Sequence, residues 1–179
     1  MTKTIDLRPW QSQAIRKCMN WFLLENNKRF LINAAPGAGK TICASIIAKE
    51  LLDKKSIERV IVIAPRNEVV KQWAKEYNFV TDKFMMKVTG SDDDIVNNDS
   101  DVCLTWASVS SLVNEIKILS KKYKTLVICD EHHHAAVSAV WGKGADSAFE
   151  NVMYSIILTG TPIRSDGEEP VWFAYNDEG

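Results

Sequence analysis

Ala34-Ala35-Pro36-Gly37-Ala38-Gly39-Lys40-Thr41 lies between an apolar run, Phe30-Leu31-Ile32, and a helical pattern that begins at Ile42. A strand, a loop of small residues and then a helix is the local context that phosphate binding requires. Small side chains let backbone N–H groups curl around an anion, and the helix that follows points its positive end at it. In such a loop Lys40 reaches the β- and γ-phosphates, and the Thr41 hydroxyl sits on Mg²⁺. Ala35, Pro36, Gly37, Ala38 and Gly39 supply the backbone of the cradle. The strict pattern asks for Gly at position 34, where this chain has Ala. The bland alternative is a strand-to-helix turn with an incidental lysine, and the elements on both sides weigh against it. The stretch implies a nucleoside-triphosphate site.

Composition sets the frame without naming a function. A chain of 179 residues is about one domain, large enough to bury a full core. Hydrophobic residues make up 46% and charged residues 25%, as in ordinary globular proteins. No apolar run approaches the ~20 residues of a membrane span. The start, Met1-Thr2-Lys3-Thr4-Ile5-Asp6, lacks the apolar segment of a signal peptide, so no membrane partner and a cytoplasmic location are expected. Cys18, Cys43, Cys103 and Cys129 are scattered through apolar stretches and read as reduced core residues. The net charge of −1 gives no bulk attraction for nucleic acid, so any such surface must be a local patch.

In order, the pattern alternates helix and strand. Helices are expected over residues 9–27, 39–52, 67–77 (with Asn67 as its cap) and 108–119. Strands are expected over 30–32, 60–64, 84–88, 102–105, 125–129 and 155–159. The acidic, Asn-rich stretch 91–101 reads as a mobile surface loop. Repeated units of this length predict an α/β domain with a mostly parallel sheet and helices on both faces. Ligands of such sheets sit at the carboxyl ends of the strands. Three polar clusters fall there: the phosphate loop, Asp130-Glu131 after Cys129, and Thr159-Gly160-Thr161 after Leu158. Their convergence on one crevice says more than any single motif.

Asp130 closes an apolar strand and is placed to hold Mg²⁺, directly or through water. Glu131 beside it is placed to orient and deprotonate an attacking water. Two other readings of Asp130-Glu131-His132-His133-His134 stay open. One is a zinc site, against which stands the fact that adjacent residues project in different directions. The other is that His132 and His134 are solvated loop residues.

Taken together, these motifs resemble the first motor domain of a superfamily-two helicase of DExH type. The correspondence runs through A-x-x-G-x-G-K-T at Ala34 to Thr41, D-E-x-H at Asp130 to His133, and Thr159-Gly160-Thr161-Pro162. Leu7-Arg8-Pro9-Trp10-Gln11 is similar to the adenine-contacting segment of the branch related to the Res subunit of type III restriction enzymes. Ala64-Pro65-Arg66 with Gln72-Trp73, and Thr105-Trp106-Ala107-Ser108, resemble two further motifs, Ala107 standing where Gln is expected. Leu158 to Gly167 is similar to the L-T-A-T-P-x-R-x-D-G form of the same branch, with Gly160 in place of Ala.

The resemblance implies a three-layer RecA-like P-loop NTPase domain that binds ATP and Mg²⁺. It gives Arg8 and Gln11 to the base, residues 35–41 to the phosphates, and Thr41 with Asp130 to Mg²⁺. Lys40 and Glu131 become the catalytic pair, with Glu131 as base. His133, Thr159, Gly160 and Thr161 become the groups that couple nucleotide state to strand movement. Arg66, Thr105 and Ser108 are expected on the DNA or RNA backbone, and Trp106 and Trp73 either stack on bases or fill the core. The expected organisation is a motor domain over residues 1–168. Residues 169–179 then read as a cut linker toward a second RecA-like domain that would supply arginine fingers. Three functions follow for comparison: a helicase motor, a double-stranded DNA translocase subunit of a restriction-type nuclease, and a non-motor NTP-binding module.

Overall fold

The computed structural model describes residues 5–33, 39–88, 95–96, 99–130 and 148–159. Its elements are α1 (Pro9–Leu23), β1 (Arg29–Asn33), α2 (Lys40–Asp53), β2 (Arg59–Ala64), α3 (Asn67–Thr81), β3 (Met85–Val88), β4 (Asp101–Thr105), α4 (Trp106–Ser111), α5 (Val113–Lys122), β5 (Thr125–Asp130) and β6 (Tyr154–Thr159). The six strands form one sheet in the order β1-β6-β5-β2-β4-β3, and every pairing is parallel. The expected mostly parallel sheet is therefore parallel throughout.

The alternation of side chains along each strand sorts them into two cores. Phe30, Ile32, Val60, Val62, Leu126, Ile128, Ile156 and Leu158 pack with α1, α2 and α3. Leu31, Ile61, Ile63, Val127, Cys129 and Ile157 pack with Val109 of α4, with Leu112, and with Ile116 and Leu119 of α5. These are the three layers. With both faces covered, β5 is buried at all six of its positions, which is why its sequence reads as one apolar run.

Four boundaries differ from the sequence reading, each for a local reason. Helix α1 stops at Leu23 rather than near 27, and Asn26 takes a left-handed φ of 56° that turns the chain toward β1. Arg66, in extended conformation, is the N-cap of α3, which makes Asn67 its first helical residue rather than its cap. The same helix runs on to Thr81 and ends on Asp82 at a φ of 58°. The single helix expected over 108–119 is two, broken at Leu112 (φ −119°, ψ 23°), whose side chain is buried.

The acidic stretch 91–101 corrects a further expectation. Ile95 and Asp101 are both buried, and Asp101 opens β4. The Asp101 carboxylate accepts from the Val60 N–H at 2.9 Å and the Tyr77 hydroxyl at 2.5 Å, and pairs with Lys83 Nζ at 3.2 Å. It joins the starts of β2 and β4 to the end of α3. Residues 91–94 and 97–98 lie outside the described residues.

Candidate functional site

The carboxyl edge of the sheet collects most of the residues that the sequence singles out. Strands β1, β6 and β5 are adjacent, with Asn33 level with Thr159 and Asp130 level with Leu158. The backbone thus brings the end of the strand before the phosphate loop, the end of the strand carrying Thr159, and Asp130 to neighbouring positions. On the same edge β2 and β4 are adjacent, with Ala64 level with Thr105. Arg66 and Ser108 follow within a few residues. The described residues expected from sequence at the nucleotide stand on one half of the edge, and those expected at the nucleic-acid backbone on the other.

On the first half, Gly39 has φ +93° and ψ 33°, the left-handed conformation that glycine adopts at little cost. It caps α2, whose first two residues are Lys40 and Thr41; Lys40 is buried and Thr41 half-buried. Gly39 is tied to α1 through the side-chain amide of Gln11. Gln11 accepts from the Arg8 N–H through Oε1 at 2.8 Å and donates from Nε2 to the Gly39 carbonyl at 3.0 Å. A Cβ on Gly39 would collide with Gln11 Nε2. Cys43 adds a long thiol contact, donating Sγ to the Gln11 carbonyl at 3.9 Å. Arg8, by contrast, is exposed. An amide keeps one further N–H and one further lone pair in such an arrangement, so base recognition by Gln11 stays chemically open.

Asp130 shares its sheet face with Ile128 and Leu126, two and four positions before it, and that face packs against α1, α2 and α3. Its carboxylate is 7% exposed and accepts from the indole N–H of Trp73 at 2.8 Å. Burial, with the Asp130 charge adding to it, pushes the thiols of Cys103 and Cys129 up. Burial alone takes Cys43 to about 12. All four cysteines are free and buried, so they are protonated core residues rather than nucleophiles at neutral pH. Among the described residues no group of three or more His, Cys, Asp or Glu could hold a metal ion.

On the second half, Arg66 is exposed, its guanidinium 3.8 Å from Glu68. Thr105 caps α4 by accepting from the Ser108 N–H at 3.3 Å, and the two hydroxyls lie 3.2 Å apart. Trp106 is a correction. Its ring is 8% exposed and belongs to the core with Val109, Leu112 and Ile116, so stacking on bases is closed to it. Trp73 is fully buried and likewise a core residue. Its bond to Asp130 had no signal in the sequence, because the two residues stand 57 positions apart. Residues 34–38, Glu131 to His134, Gly160 and Thr161 lie outside the described residues, as does the side chain of Thr159.

Comparison with known proteins fits this arrangement. Residues 4–164 match the model of the type III restriction enzyme Res-subunit family. An uncharacterized protein of Mycobacterium tuberculosis is 34% identical over 172 residues, covering 96% of this chain and 28% of the relative. The mouse ATP-dependent RNA helicase DHX58 is 26% identical over 148 residues, 76% of this chain and 21% of the relative. Among solved structures, the Sulfolobus solfataricus SWI2/SNF2 ATPase core in complex with double-stranded DNA superimposes with a TM-score of 0.66. That match has 21% identity and covers 94% of this chain and 34% of the other. The chain thus spans a quarter or so of the curated relatives it matches, 28% and 21% in these two cases. No helix among the described residues is long and apolar enough to cross a membrane.

Proposed function

The chain belongs to the type III restriction enzyme Res-subunit family and has the fold of a superfamily-two helicase motor domain, and on that premise we propose that it is the ATP-binding half of a motor that moves along DNA. The observation that carries the proposal is the carboxyl edge. Asp130 ends β5 on the sheet face that α2 covers, Gly39 and Lys40 open that helix, and β5 lies beside the strand that ends in Thr159. Double-stranded DNA is the substrate we favour over RNA. The restriction-enzyme family and the DNA-bound SWI2/SNF2 core both point that way.

The donor set suits Mg²⁺. A carboxylate and a hydroxyl are hard oxygen ligands, and Asp130 with Thr41 would leave most of an octahedral shell to phosphate and water. Bound there beside the nucleotide, the ion would neutralise charge on the phosphate oxygens. The chain's own contribution is positioning. Gly39 turns the backbone and Lys40 stands at the positive end of α2, where a cation and a helix terminus both favour phosphate. Glu131 is proposed as the base that takes a proton from the attacking water, with His133, Thr159, Gly160 and Thr161 as the coupling groups. Arg8 and Gln11 are proposed at the base, and Arg66, Thr105 and Ser108 on the DNA backbone. Residues 1–168 would form the motor domain, followed by a linker to a second RecA-like domain.

ATP turnover of the longer parent protein, with duplex DNA, single-stranded DNA or RNA added, tests the reading. We expect duplex DNA to stimulate most. A rate indifferent to every nucleic acid would favour the non-motor alternative. In that parent, Glu131→Gln should keep Mg²⁺-dependent ATP binding and lower turnover by roughly 10²–10⁴-fold. If the arginine finger comes from the proposed second domain, the 179-residue chain alone should turn over far below about 1 s⁻¹, since loss of a finger costs on the order of 10³–10⁵-fold.

A further inference from the structure

A buried indole N–H has to find an acceptor, and most side-chain donors in proteins find a backbone carbonyl or water. Trp73 bonds a carboxylate. It stands in the middle of α3, is fully buried, and donates to Oδ2 of Asp130 at 2.8 Å. We propose that Trp73 is a positioning residue for Asp130, holding that carboxylate in the orientation in which it meets the nucleotide-bound Mg²⁺. The inference rests on the reading of Asp130 as a Mg²⁺ ligand.

Three observations support it. The ring cannot drift: Trp73 is 0% exposed and packs in the core shared by α1, α2, α3 and the sheet. The bond is charge-assisted, and it restricts rotation of the carboxylate about its own Cβ–Cγ bond. The single indole N–H engages one of the two carboxylate oxygens, Oδ2. Outer-shell donors of this kind orient metal ligands, and their loss lowers metal affinity by roughly 10–100-fold. The competing account is packing alone, in which Asp130 merely satisfies a core tryptophan. The two accounts differ in what Mg²⁺ feels.

Fluorescent (mant-labelled) ADP binding to the 179-residue chain, titrated with Mg²⁺ and repeated in EDTA, separates them. Trp73→Phe removes the donor and keeps an aromatic ring. The Mg²⁺ concentration giving half of the Mg²⁺-dependent binding should rise roughly 10–100-fold, with affinity in EDTA unchanged. Equal losses with and without Mg²⁺, or no change in either, overturn the positioning role. If the native chain itself shows no Mg²⁺-dependent binding, the reading of Asp130 falls and this inference with it. A second measurement needs no Trp73 variant. The indole ¹H–¹⁵N resonance of Trp73, assigned through bonds, should move when Mg²⁺ is added to the ADP complex. The same resonance in Asp130→Asn should stand further upfield and ignore Mg²⁺. A native resonance indifferent to Mg²⁺ overturns the proposal.

Discussion

Gln11 and Gly39 are joined directly in the candidate site, and their chemistry predicts non-additive behaviour. Gly39→Ala places a side chain at φ +93° and drives its Cβ into Gln11 Nε2. Left-handed strain of this kind costs about 1–3 kcal/mol in a non-glycine residue, and the collision adds to it. Gln11→Ala removes the collision but leaves the strain. Denaturant unfolding of both single variants and the double variant should therefore show Gly39→Ala costing less in the Gln11→Ala background, with coupling of about 0.5–3 kcal/mol. Strict additivity would mean that the loop relaxes away from α1. Gln11 was readable from sequence as a site residue through its place in Leu7-Arg8-Pro9-Trp10-Gln11. Its grip on Gly39 was not, because 28 residues separate them and only the packing of α1 beside α2 brings them together.

Elements were legible where periodicity was strong and failed where a polar residue was buried. All six strands and the helices α1, α2 and α3 stand where apolar runs and stripes predict them. Asp101 misled because an acid in an acidic, Asn-rich stretch reads as solvated, and nothing local reveals that Val60, Tyr77 and Lys83 converge on it. Asp101→Ala should destabilise the chain by about 2–6 kcal/mol, since it strands a buried N–H and a buried hydroxyl at about 1–3 kcal/mol each. Tyr77→Phe, which removes one of those donors and leaves the Asp101 carboxylate with the Val60 N–H and Lys83, should cost less. Equilibrium unfolding in urea checks both. A loss no greater than that of an ordinary surface substitution would mean that the junction of β2, β4 and α3 is held by packing alone.

For the whole molecule the cysteines set an alkaline limit. Burial pushes Cys43 up to about 12 and moves Cys18, Cys103 and Cys129 upward as well, with Tyr77 shifted the same way by burial and Asp101. An unfolded thiol ionises near pH 8.5. Above that pH the unfolded chain has released protons that the native chain still holds, so stability falls as pH rises. Below it, the groups contribute fully. Each thiol lowers stability by about 1.4 kcal/mol per pH unit in that window. Four together predict a steep drop in melting temperature between roughly pH 8.5 and pH 10.5, and Cys43→Ala should make that drop shallower. A melting temperature flat across the window would contradict the burial of these thiols.

Sequence alone determined the repeating strand–helix units, the parallel sheet and the strand ends at which Lys40, Asp130 and Thr159 fall, because side-chain periodicity and loop residues are local properties. It also carried enough ordered motifs, from Leu7 to Gly167, to identify the family that residues 4–164 match. Tertiary structure alone decided which of the polar and aromatic residues work at the edge and which fill the core. Trp106 went to the core, Asp101 to a buried junction, and Trp73 to the carboxylate of Asp130. Each outcome turns on which face of the sheet a neighbouring element covers. That is set by strand order and crossover, not by any stretch of chain short enough to read as a pattern.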